Sequence, residues 1–176
     1  MRQLALRNSL GSLYLPLAAL VFLGGCGYYS FTGASIPAHL GSVAIPLTED
    51  RAAAAVPNLD QRLTEFLIER FAGRTRLQLE TNEDAADAVL LTIFSGYRVT
   101  PVAVTGQQIA SLNRVTLEVS VRYVDQVEDV DRLERRFTSH ADYDPAAGGL
   151  DAEAIAALAA LEQIADDIFA AATADW

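Results

Sequence analysis

The sequence predicts an α+β fold: a mainly antiparallel sheet of about four strands, with two helices packed on one face. Three observations carry the prediction. Leu59, Leu63, Phe66, Leu67 and Phe71 share one helical face, as do Ile155, Leu158, Leu161, Ala165, Ile168 and Ala172. Ala88 to Tyr97 (AVLLTIFSGY) is almost continuously apolar, as a strand covered on both sides must be. Asn113 to Val124 alternates. Val115, Leu117, Val119, Val121 and Tyr123 point one way; Thr116, Glu118, Ser120 and Arg122 point the other. Layering both helix stripes on the apolar sheet face buries all three patterns together.

Each element has a local reason. Val43 to Leu47 reads as a first strand, limited by Pro46, which has no N–H to donate. Arg51 to Pro57 is an alanine-rich loop. Asn58 reads as a helix N-cap, with Gln61 completing a capping box, and Gly73 marks the helix end. Leu77 to Glu80 reads as a short strand and Asn82 to Asp87 as a polar turn. Arg98 to Ala110 carries Pro101 and Gly106, and reads as an irregular or bulged extension of the apolar strand. Arg132 to His140 alternates, with Leu133 and Phe137 on its apolar side. It forms a hairpin with Asn113 to Val124 across the acidic turn 125–131. Asp144 to Gly149 is a loop. Asp151 reads as the N-cap of the long last helix, with Leu150 stapled against Ile155. This layering leaves one sheet face and an open edge free for binding.

The N-terminus carries an address. Arg2 and Arg7 precede an apolar run from Leu13 to Leu23, which is 11 residues long and too short to span a bilayer. Leu23-Gly24-Gly25-Cys26 follows, with the one cysteine of the chain. This is the layout of a lipoprotein signal: residues 1–25 are removed and Cys26 becomes the first mature residue. It then carries a covalent diacylglycerol and an N-acyl lipid. Two or more acyl chains hold stably, at about 0.8 kcal/mol per buried methylene. Gly27 after the cysteine, in place of Asp, favours the outer membrane. Residues 26–42 read as the lipidated tether, in which Tyr28, Tyr29 and Phe31 either sit at the membrane interface or pack under the domain. Residues 43–176 read as a single domain.

Composition narrows the function. The net charge is −10, and becomes −12 once Arg2 and Arg7 leave with the signal. No basic face is available to displace counterions, which excludes a nucleic-acid binder. Every basic residue is arginine; a GC-rich genome accounts for that, and a high-salt habitat would account for it together with the acid excess. A single cysteine allows no internal disulfide. No H-E-x-x-H, G-x-S-x-G or Walker motif occurs, so no enzyme, cofactor or metal is expected. His140, Asp142 and Asp144 are the nearest approach to a metal cluster, and read as a polar strand end. Arg98 and Arg135 lie beside apolar strand residues, where a guanidinium either binds phosphate bidentately or pairs with carboxylates.

The stretch CGYYSFTGASIPAHLGSVAIPLTED, headed by Cys26, resembles the LptE family of lipopolysaccharide-assembly lipoproteins in the form typical of Bacteroidota. The shared pattern is a lipidated Cys-Gly-Tyr, a Y-S-F-T-G-x-S-I-P run (Tyr29 to Pro37) and a V-A-I-P strand (Val43 to Pro46). An extra tyrosine follows Gly27. The segments Ala86 to Leu90 and Arg114 to Thr116 are also similar to the family. The resemblance implies a four-stranded sheet with two helices, and a plug inside the outer-membrane barrel LptD that helps assemble it and insert lipopolysaccharide. It also implies lipopolysaccharide contacts from basic residues near strand ends, for which Arg98 and Arg135 are the nearest candidates. The alternative class is an envelope-scaffold or secretion-system lipoprotein of similar form.

Overall fold

The computed structural model describes residues 36–102 and 112–174. The signal segment 1–25, Cys26, Tyr28, Tyr29, Phe31 and most of the extension 98–110 lie outside the described residues. The chain divides into two compact units, Met1–Thr32 and Gly33–Trp176, and the described residues belong to the second.

The elements are β1 (Ser42–Ala44), β2 (Glu49–Asp50), α1 (Leu59–Arg74), β3 (Gln78–Glu80), a 3-10 turn at Glu83–Ala85, β4 (Ala88–Val102), β5 (Leu112–Asp125), β6 (Val130–Tyr143) and α2 (Leu150–Ala174). The strands form one six-stranded sheet in the order β3-β1-β4-β5-β6, with β2 also on β4. The fold is α+β, but the expected four-stranded, mainly antiparallel sheet is corrected to a six-stranded mixed one. β1 runs parallel to both β3 and β4, and β2 runs parallel to β4. The cause is α1: a helix between two strands of one sheet carries the chain back to the end where it started. Side-chain periodicity does not record strand direction, so the parallel pairing of these short strands is not legible in the sequence.

The predicted strand Val43–Leu47 is also cut short at Ala44, and a separate two-residue strand, β2, follows beyond it. Ala44 faces Val89 and Glu49 faces Ile93, so four residues on one side span three on the other. Pro46 falls in that interval and cannot donate to the ladder. Three buried threonines fill the break. Thr48 Oγ1 lies 2.7 Å from Thr92 Oγ1 and 3.1 Å from Thr64 Oγ1, and Thr64 Oγ1 accepts from the Thr48 amide at 2.9 Å. The Thr48 amide, released by the interruption, is thus satisfied inside the core.

β4, β5 and β6 are long and antiparallel. A bulge sits at Ser95, between the Phe94–Val119 and Gly96–Glu118 pairs, upstream of the 98–110 extension where irregularity was expected. Beyond it β4 continues as a regular strand to Val102. Pro101 is tolerated there because β4 has only β5 beside it at that level among the described residues.

One core lies between the sheet and both helices. Leu63, Leu67 and Phe71 of α1 and Leu161, Ile164 and Ile168 of α2 meet Leu90, Phe94, Leu117, Val119 and Tyr123, all fully buried. Leu40, ahead of β1, is buried in the same core. Arg70 joins the helices from within: its Nε donates to Asp166 at 2.7 Å, and its other nitrogens reach the Phe66 and Glu162 carbonyls.

Three local expectations need correction. Asn58 precedes α1 at φ 62°, with no side-chain cap bond; the left-handed backbone turns its oxygen away from the helix amides. α2 starts at Leu150, so Asp151 stands in its first turn rather than before it. Leu150 and Ile155 are 74% and 70% exposed, and the core stripe of α2 instead runs through Ala157, Leu161, Ile164, Ile168 and Ala172. The overhanging first turn is held by polar bonds. Glu153 accepts from the hydroxyls of Tyr97 and Tyr143, the latter at 2.8 Å. Burial and this carboxylate push the Tyr97 hydroxyl well above its ordinary range.

Candidate functional site

The two sheet faces differ in kind. The helix side is apolar and covered. The other side takes the alternate residues of β4, β5 and β6, and among the described residues no helix packs on it. Its floor is Leu91 and Ile93 of β4. Ser120, Arg122, Glu134 and Arg136 rise around them and line a shallow cavity of about 540 Å³.

Charge on this open face is arranged as cross-strand pairs. Arg114 faces Asp142 and makes a bidentate pair at 2.6 and 2.8 Å. Arg122 does the same with Asp131, at 2.9 and 3.1 Å. Each guanidinium is raised above its usual range by its carboxylate, and Arg114 in turn holds Asp142 low. Between these pairs, Glu118 is shared by Arg98 at 3.6 Å and Arg136 at 3.9 Å. Gly96 makes the room: a Cβ there would lie 3.1 Å from the Glu118 Cβ. The result is one carboxylate set among two largely exposed guanidinium groups, which can be exchanged for an incoming anion at little cost.

Arg98 and Arg135 are not brought together. Arg98 faces Thr116 and stands on the open face. Arg135 faces the buried Val121, and so stands on the helix side of the edge strand. Its guanidinium carbon lies 5.0 Å from the Phe137 ring centroid. The two candidates therefore occupy opposite faces, two strands apart.

The His140, Asp142, Asp144 group is also dispersed. His140 lies opposite Thr116, Asp142 is engaged by Arg114, and Asp144 accepts from the Ala146 amide at 2.8 Å. Sequence reading missed a different cluster where the chain enters the domain. His39 Nε2 lies 2.7 Å from Asp125 Oδ2, and Glu128 is nearby. Arg132 donates to that same Asp125 oxygen at 2.9 Å. A guanidinium thus holds the place a cation would need, and the cluster is a structural knot. Burial of Asp125 opposes ionisation. His39, the Glu128 amide and Arg132 outweigh it and hold the carboxyl at about 2. No local signal links His39 to a turn 86 residues away.

These features define a small α+β domain with one covered sheet face and one open, charged sheet face. The chain belongs to the LptE family, described as lipopolysaccharide-assembly, whose family model matches residues 40–172. No curated protein matches the chain in sequence. Among solved structures, the hypothetical protein CT253 from Chlamydia trachomatis is 13% identical, with TM-score 0.52, covering 77% of this chain and 99% of its own. PelC from Paraburkholderia phytofirmans, solved as a dodecamer, is 12% identical with TM-score 0.50, covering 81% and 95%. A Helicobacter pylori protein described as a homolog of a neuraminyllactose-binding hemagglutinin is 10% identical with TM-score 0.56, covering 81% and 88%. At these identities the likeness is one of fold. No helix of the described residues is long and apolar enough to cross a membrane.

Proposed function

We propose that this chain is a lipid-anchored plug. It is held on the periplasmic side of the outer membrane through Cys26, seats in the lumen of the LptD barrel, and supports lipopolysaccharide insertion into the outer leaflet. The observation that carries the reading is membership of the lipopolysaccharide-assembly family over residues 40–172. The surface supports it. A barrel lumen is polar, and the bidentate Arg114–Asp142 and Arg122–Asp131 pairs give the open face both signs of charge without a net surplus of either. Arg98 is the contact we assign to a lipopolysaccharide phosphate, because its one carboxylate, Glu118, is shared with Arg136 and its side chain is 66% exposed. Arg135, whose register puts it on the helix side of β6, also lines the rim of the open-face cavity.

The test is affinity purification of the tagged protein from detergent-solubilised outer membranes, beside Cys26→Ala. A stoichiometric large β-barrel identified as LptD is the expected partner, with Cys26→Ala recovered from the soluble fraction. Absence of a barrel, or a soluble periplasmic partner in its place, refutes the plug and favours the scaffold class.

A further inference from the structure

We propose that the outer edge of β6 is a docking site for an extended acidic segment of a partner protein, which joins the sheet as a further strand with Arg135 as its charged anchor. Three observations converge. First, β6 runs for 14 residues and, among the described residues, pairs only with β5, so from Leu133 onward its other side has no strand beside its backbone donors and acceptors. Second, a groove of about 640 Å³ follows this edge, between β6 and the last turns of α2. Leu133 and Phe137 line one wall, and Ala170, Ala171 and Ala174 the other. The small alanines leave space for alternate side chains of an added strand.

Third, this edge holds an unpaired guanidinium in an acidic protein, although Asp167 also lines the groove. Arg135 is the one arginine of the described residues with neither a carboxylate nor a carbonyl partner; the others all pair. In a chain with 23 acidic and 13 basic residues, an arginine left open is unusual. Stacking over Phe137 fixes its plane, so little side-chain freedom is lost when a carboxylate arrives. Arg136 beside it has its nearest carboxylate at 3.9 Å. Charged edges reject indiscriminate pairing; the one unpaired charge here, the Arg135 guanidinium, favours an acidic strand over a basic one. The occupant is peptide rather than lipid because the site offers a ladder of backbone groups, which an acyl chain cannot use. The proposal holds whether or not the partner is the barrel.

A photo-crosslinking amino acid placed at Thr138 on β6, and at Glu65 on α1 as a control, tests it in living cells. The expected result is a protein adduct from Thr138 alone, mapped by mass spectrometry to an Asp- or Glu-bearing extended segment. That adduct should fall at least tenfold in Arg135→Glu and keep at least half its yield in Arg135→Lys, with thermal midpoints unchanged in both variants. An adduct to lipid only, to a second copy of this chain or to a segment without acidic residues overturns the proposal. So does no adduct, or one undiminished by Arg135→Glu. If the barrel still co-purifies in such a case, only the edge assignment falls and the plug stands.

Discussion

The same three strands present two unlike faces. On the helix side, Leu117, Val119 and Tyr123 of β5 are fully buried against α1 and α2. On the other side their neighbours Thr116, Glu118, Ser120 and Arg122 meet Arg98, Arg114, Arg136 and Asp142 in a lattice of exchangeable pairs. Strand alternation makes this division possible, because one residue step switches faces. The difference teaches where stability resides. Apolar burial on one side holds the fold, which frees the other side to carry charge whose loss costs the fold little.

Truncating a core residue tests the comparison with the largest effect. Leu161→Ala on α2 should destabilise by about 2–5 kcal/mol, from lost burial plus the cavity left behind, read as a shift in urea midpoint. The open-face counterpart Leu91→Ala, only partly buried, should cost about 1 kcal/mol or less. Equal losses would erase the distinction between the faces.

Asp125 comes next. Its folded pKa, about 2, lies below the ordinary 3.8, so its contribution is present above the ordinary value and is lost as pH falls through it towards 2. That shift corresponds to about 2 kcal/mol. Asp125→Asn should therefore be less stable than the parent at pH 7, and the gap should close by pH 2. A gap independent of pH would show that the knot of His39, Arg132 and Asp125 works by shape alone.

Tyr143→Phe removes the 2.8 Å bond to Glu153 that holds the exposed first turn of α2. About 1 kcal/mol is expected, together with faster amide exchange confined to the start of α2. The smallest effect belongs to the open face. Arg114→Ala should change stability by no more than about 0.5 kcal/mol, although it breaks a bidentate pair. A larger loss would move that face from function to structure.

The division of faces also explains what the sequence discloses. Alternation along 113–124 and the helical stripe through Leu63 and Phe71 repeat over many residues, so both are legible; the separate alternation of 132–140 places Arg135 on a strand, and Arg98 reads as the end of the apolar run 88–97. The parallel half is not legible. β1 has three residues and β2 two, and Glu49-Asp50 looks like any polar turn. Pairing direction and the Pro46 break depend on β4, more than 40 residues downstream. The first turn of α2 misled for the opposite reason. Leu150 and Ile155 continue the apolar period, but the helix overhangs the sheet there and Tyr97 and Tyr143 reach it through polar bonds instead. Likewise, that Arg98 and Arg135 take opposite faces follows from register, and the Ser95 bulge resets register along β4.

The measurement that tests the central claim most directly is complementation of a depleted strain, scored by lipopolysaccharide at the cell surface. Depletion should lower surface lipopolysaccharide, and the parent chain should restore it. The double variant Arg98→Glu with Arg136→Glu, folded and with its thermal midpoint within a few degrees of the parent, should fail to restore it. Full restoration by that variant, or surface lipopolysaccharide unchanged on depletion, would contradict the assignment of function to the open face.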